Sequence, residues 1–179
     1  CLGAATAISL QKKLNKKNKG EKVCLIDKSV LCAAESSRHS GIVRSANADQ
    51  DASIMASEST KLWKNLKSIW GVDMEMEQFG AIWIAKKNQD GKNRIWHELS
   101  KRMESINIVF KEIDHNIAAD LCGDSLIVDE NESYYFEPDA LQIDPSILRS
   151  TIYEALDYNG VDVLEKTNVD AFLNDSNEI

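Results

Sequence analysis

The feature that most constrains this chain is the run Lys22-Val23-Cys24-Leu25-Ile26-Asp27, an almost unbroken apolar stretch closed by an acid. A strand covered on both faces has no polar side to show, so it loses the alternation of a half-exposed strand. The run therefore reads as a buried parallel strand of an α/β protein. Ahead of it, residues 4–15 place Ala4, Ala7, Ile8 and Leu14 on one helical stripe, with Lys12 and Lys13 elsewhere. That is an amphipathic helix, ended by Asn18-Lys19-Gly20. A helix feeding a parallel strand implies a strand before the helix, which this sequence does not contain.

The same pattern continues downstream. Residues 33–48 are small and polar and predict an ordered functional loop. Asp51 to Trp70 predicts one helix, with Ile54, Leu62, Trp63, Leu66, Ile69 and Trp70 as its apolar set and Gly71 as its stop. Phe79–Ala85 predicts a strand, Arg94–Ser105 an amphipathic helix, and Ser133–Phe136 a further strand whose aromatic residues read as core or as a substrate face. Ile147–Tyr158 predicts a helix stopped by Asn159-Gly160, and Val161–Leu164 a strand.

With 29 acidic against 21 basic residues the chain carries a net charge of −8, which argues against nucleic acid as a partner. The lysines between Lys12 and Lys22 read as a solvated helix end and loop. No stretch approaches the roughly 20 apolar residues of a membrane span. Positive residues follow the first apolar stretch instead of preceding it, and the chain begins without methionine, so a start further upstream is expected and a signal peptide is not. Cys1, Cys24, Cys32 and Cys122 form no CxxC pair, which predicts reduced thiols and a cytoplasmic setting. His39, His97 and His115 lack the spacing of a metal cage, and no metal is expected.

A dinucleotide fingerprint sets three glycines between a strand and a helix, with an acid about 20 residues on that accepts from ribose hydroxyls. This chain holds its second half. Gly3 stands where the last glycine lets the helix approach the sheet, Ala4-Ala5-Thr6-Ala7 opens the helix, and Asp27 closes the next strand. On these residues alone, any helix followed by a strand fits equally well.

The continuation is more specific. Gly3-Ala4-Ala5-Thr6-Ala7, Val23-Cys24-Leu25-Ile26-Asp27-Lys28 and Ser36-Ser37-Arg38-His39-Ser40-Gly41-Ile42-Val43-Arg44 together resemble the D-amino-acid oxidase family of FAD-dependent oxidoreductases. That family includes glycine oxidase, sarcosine oxidase and dimethylglycine dehydrogenase. Ile143-Asp144-Pro145-Ser146-Ile147-Leu148, Asn159-Gly160-Val161 and Thr167-Asn168-Val169 resemble the point where its members return from the substrate domain to the FAD domain. The resemblance implies an α/β fold: a Rossmann-like FAD-binding domain of the glutathione-reductase type with part of an inserted mixed α+β substrate domain. It implies residues 1–70 as the first FAD-binding segment, 71–142 as the opening of the substrate domain and 143–179 as the return segment.

Carried over by position, the resemblance implies Gly3 near the FAD pyrophosphate and Asp27 on the adenosine ribose with Lys28 beside it. Ser36, Ser37, Arg38, His39, Ser40 and Gly41 would wrap the pyrophosphate and flavin ring, and Val169 would offer backbone groups to the adenine. One branch of the family links its flavin through a histidine in this loop. Here Arg38 precedes His39 and Gly41 follows closely, a departure that leaves a noncovalent ring contact as the nearer expectation. Arg44 is the candidate for a substrate carboxylate, since a planar guanidinium meets a carboxylate at two points. The implied activity is oxidation of a small amine or amino acid by hydride transfer to FAD, with oxygen or an electron carrier as acceptor and oligomerisation possible. Oxidation of a 2-hydroxy acid and a non-catalytic subunit of the same fold stay open.

Overall fold

The computed structural model describes residues 1–17, 20–88 and 93–171, and the backbone alone of two short segments after them. The expected helix stop at Asn18 and Lys19 lies outside the described residues. Contacts divide the chain into two compact units.

The first unit comprises Cys1–Ser40, Asn65–Glu75 and Asp144–Ile179. Helix α1 (Leu2–Lys16) leads into strand β1 (Cys24–Ile26). A loop with one turn of 3-10 helix at Glu35–Ser37 follows, then α3 (Leu66–Trp70), α6 (Pro145–Tyr158) and β7 (Asp162–Leu164). β1 and β7 pair in parallel, with Leu25 opposite Val163. α1 contributes Ala4, Ala7 and Ile8 to the interior and α6 contributes Ile152, Ala155 and Leu156. α6 begins where the sequence makes a helix easy to start. The Asp144 side chain accepts from Ser146 N at 2.7 Å, and Pro145 needs no partner for its missing N–H. The backbone also closes with β8 (Leu173–Asn174) paired to β9 (Asn177–Glu178).

β1 falls where the apolar run placed it, but it is less covered than the run predicts: Cys24 is exposed and Ile26 is 42% exposed. Among the described residues its sheet has only two strands, so one edge and part of a face lack the neighbours that a buried parallel strand has.

The second unit comprises Gly41–Lys64 and Met76–Ile143. Its centre is an antiparallel sheet in the order β3-β5-β4, formed by Ala81–Lys86, Glu132–Glu137 and Lys111–Ile113. A ribbon of β2 (Ile42–Val43) and β6 (Leu141–Gln142) lies in the same unit. α4 (Arg94–Ser105) keeps the bounds expected of it, and its Leu99 and Met103 pack with Ile108, Phe110 and Tyr135. Tyr134 and Tyr135 are each 1% exposed, so these two aromatics of β5 are core. β4, α5 (His115–Cys122) and β6 carry too short a periodic signal to be foreseen.

The helix expected over Asp51–Trp70 is two helices. α2 (Gln50–Lys64) stops at Asn65, where φ −112° and ψ 21° leave helical geometry, and α3 begins anew. α2 also buries a different face from the apolar one expected: Ile54 and Leu62 are exposed, while Ser53 and Thr60 are buried. Both hydroxyls bond the segment just after β2. Thr60 Oγ1 lies 3.2 Å from Ser45 Oγ, and Asn47 N donates to Ser53 Oγ at 3.0 Å. These bonds and the β2–β6 pairing explain why contacts group 41–64 with the second unit, whereas the sequence division kept 1–70 together.

Candidate functional site

In the first unit the N-terminal end of α1 and the loop after β1 surround a cavity of about 560 Å3. The first main-chain bond of α1 runs from Ala5 N to Cys1 O at 3.0 Å, so the amides of Leu2, Gly3 and Ala4 stand at the start of the helix without intrahelical acceptors. That end carries partial positive charge and favours an anion. A Cβ built on Gly3 would sit 3.4 Å from Leu25 Cδ1, the near limit of ordinary contact, so glycine here leaves α1 close to β1.

Asp27 closes β1 and is fixed by its main chain, donating from N to Leu164 O at 2.9 Å and accepting at O from Thr167 N at 3.0 Å. Its Oδ1 accepts from Ser29 N at 2.8 Å, turning the chain away from the strand. A second carboxylate holds the next stretch. Glu165 Oε1 accepts from Leu31 N at 2.7 Å and from the Tyr153 hydroxyl, and these bonds, Tyr153 foremost, keep the Glu165 carboxyl below its usual range. Further along, Ser36 Oγ accepts from Cys1 N at 3.1 Å, and Arg38 N donates to Glu35 O at 3.1 Å.

The cavity brings together Gly3, Asp27, Lys28, Ser36 and Arg38. Ser37, His39, Ser40 and Val169 belong to the same unit but do not line it. Gly41 and Arg44 belong to the second unit. The lining combines helix-end amides and two cationic side chains, which suit phosphate oxygens, with a carboxylate at a strand end, which suits hydroxyl donors. Sequence reasoning missed Glu165 and Tyr153; the one available signal was an acid closing β7 as Asp27 closes β1.

Arg44 sits in a different setting. Its guanidinium lies over the Trp83 ring, 4.3 Å from the centroid, and Nη1 donates to Ala46 O at 3.0 Å. Beneath the same turn Glu137 is 0% exposed. Its Oε1 accepts from Ser45 N and, at 3.2 Å, from Ala46 N. Its Oε2 and the buried Trp83 Nε1 complete no hydrogen bond of good geometry among the described residues. Burial pushes the Glu137 carboxyl above its usual range, against the opposing pull of the two amides, the Trp83 N–H and the Arg44 charge.

The sequence profile of the family described as FAD dependent oxidoreductase matches residues 1–178. The chain belongs to that family. FAD is the family's cofactor, and the polar lining described above fits a ligand with a pyrophosphate and ribose hydroxyls. Among solved structures, L-proline dehydrogenase from P. horikoshii aligns with a TM-score of 0.79 at 19% identity, covering 97% of this chain and 43% of that one. Glycine oxidase from Geobacillus kaustophilus gives 0.76 at 16% identity, covering 94% and 45%. L-amino acid deaminase from Proteus myxofaciens in complex with anthranilate gives 0.74 at 13% identity, covering 97% and 38%. At such identities the likeness is one of fold, and this FAD dependent oxidoreductase chain spans less than half the length of each. No curated protein sequence matches it. Among the described residues, no helix is long and apolar enough to cross a membrane, and no group of His, Cys, Asp and Glu is placed to hold a metal ion.

Proposed function

We propose that the protein oxidises a small amine or amino acid with FAD held against α1 and β1. The observation that carries this reading is the convergence of Gly3, Asp27, Lys28, Ser36 and Arg38 on one cavity in a chain of the FAD dependent oxidoreductase family. In it, the α1 amides and Arg38 bind the pyrophosphate, Gly3 keeps the helix end clear of side chains, and Asp27 accepts from ribose hydroxyls. Ser37, His39, Ser40 and Gly41 continue the loop toward the flavin, His39 as a noncovalent contact, and Val169 offers main-chain groups to the adenine. The first unit is then the FAD-binding part and the second the opening of the substrate domain. Bound FAD supplies the acceptor for a hydride leaving the carbon beside the substrate nitrogen, and oxygen or an electron carrier reoxidises it.

Arg44 takes the substrate carboxylate. The Trp83 ring beneath the charge holds the guanidinium, and among the described residues its one hydrogen bond, to Ala46 O, leaves donors for two-point binding. The structural neighbours, an oxidase, a dehydrogenase and a deaminase of amino acids, support this class of substrate. Anaerobic mixing of the FAD-loaded protein with a panel of small amino acids, secondary amines and 2-hydroxy acids tests it. Bleaching of the oxidised flavin by an amine or amino acid is expected. Bleaching by 2-hydroxy acids alone would overturn the reading.

A further inference from the structure

Arg44 is exposed and long, and a flexible cation makes a poor clamp unless something fixes it. Two features fix it here. Its guanidinium carbon lies over the Trp83 ring, 4.3 Å from the centroid, and its own Nη1 turns back to Ala46 O at 3.0 Å. The second contact works only if the Ser45-Ala46 main chain is itself held, and Glu137 is what holds it. The carboxylate, fully buried at the end of β5, takes the N–H groups of both residues on one oxygen. Its other oxygen and Trp83 Nε1 are both buried and complete no hydrogen bond of good geometry among the described residues, although the indole N–H favours the ionised carboxylate. Burying a carboxylate with an incomplete shell is costly, and an apolar side chain would fill this strand end at less cost. What the carboxylate supplies in return is a fixed geometry for the two amides it binds.

We propose that Glu137 is the positioning residue of the substrate-carboxylate site, setting the direction of the Arg44 guanidinium through the Ser45 and Ala46 amides and through Trp83. The inference rests on the carboxylate role given to Arg44 above. It assigns Glu137 no contact with substrate and no proton transfer.

The test is calorimetric titration of the FAD-loaded protein with anthranilate, an aromatic carboxylate, and with aniline, the same ring without the carboxylate. Arg44→Lys should weaken anthranilate about tenfold, because lysine keeps the charge but loses the two-point fork. Glu137→Met, which keeps length but removes the acceptor, should weaken it several-fold. Glu137→Gln, which keeps an oxygen for the amides, should restore most of the loss. In the double variant Arg44→Lys with Glu137→Met the losses should not multiply, because Glu137 acts through Arg44. Aniline should respond to none of these changes. If Glu137→Met does not fold, Glu137→Asp draws the carboxylate back from the amides and should weaken anthranilate in the same direction. Equal losses for anthranilate and aniline, or multiplying losses in the double variant, would overturn the positioning role and leave Glu137 a structural residue. An unchanged anthranilate affinity in Arg44→Lys would instead remove the carboxylate role of Arg44 itself.

Discussion

Glu137 also gives the clearest dependence on pH. Its carboxyl is raised from an ordinary value of 4.5, chiefly by burial, so above that value the folded state holds a proton more firmly than the unfolded chain. Unfolding then releases that proton, and the stability contributed by this group is greatest below the unfolded value and falls as pH rises through the folded one. Glu137→Gln removes the titration. In thermal unfolding between pH 4 and pH 7, wild type should lose stability relative to this variant as pH rises; a constant gap would place an ordinary carboxyl at Glu137. Gly41 makes a sharper demand on the backbone. It has φ +77°, and a Cβ there would meet Ile143 O at 1.9 Å. Gly41→Ala should cost on the order of 3 kcal/mol, from strain and from a clash with main chain that cannot swing aside, read from the midpoint of urea unfolding. None of this was legible in the sequence. Glu137 reads as the polar end of a strand, and Gly41 could be singled out only by resemblance, because the partner that excludes a side chain lies far along the chain.

Helices and strands whose burial follows from side-chain periodicity were readable, and those held by polar bonds were not. α1, β1, α4, α6 and β7 fall where apolar spacing puts them, and α6 stops at Asn159 as expected. α2 failed because its buried face is hydroxyl: Ser53 and Thr60 turn inward to bond the 45–47 segment while Ile54 and Leu62 stay out. A pattern read for apolar residues rotates such a helix the wrong way. The join of α1 to β1 shows the same physics. Gln11, 3% exposed, accepts from Val23 N at 2.7 Å and donates to Glu21 O at 3.2 Å, fixing where the strand begins. Gln11→Leu fits the stripe better by sequence yet should destabilise the protein by about 1 kcal/mol, since Val23 N and Glu21 O lose their half-buried partner. Hydrogen exchange at Val23 should rise with it. A variant as stable as wild type would show that water replaces the lost bonds without cost.

For the whole molecule, family membership is firm while the finer chemistry rests on residues that the structure gathers in separate places. The half fingerprint of Gly3 and Asp27 was weak in sequence; folding brings both to one cavity with Lys28, Ser36 and Arg38, which spacing alone does not dictate. The remaining residues named from resemblance, Ser37, His39, Ser40 and Gly41 of the loop and Val169 after β7, lie outside that lining. If His39 contacts the flavin without a bond, acid denaturation should release all colour from the chain; colour retained on wild type but not on His39→Ala would establish a covalent link. If FAD is held against α1 and β1 with Asp27 on its ribose, a fluorescence titration of FAD into flavin-depleted protein reads that contact. Wild type should bind FAD and quench it, and Asp27→Ala should bind more weakly by about 1–3 kcal/mol, roughly five- to 150-fold, as for a buried hydrogen bond left unmade. Failure of wild type to take up FAD, or an unchanged affinity in Asp27→Ala, would contradict this placement.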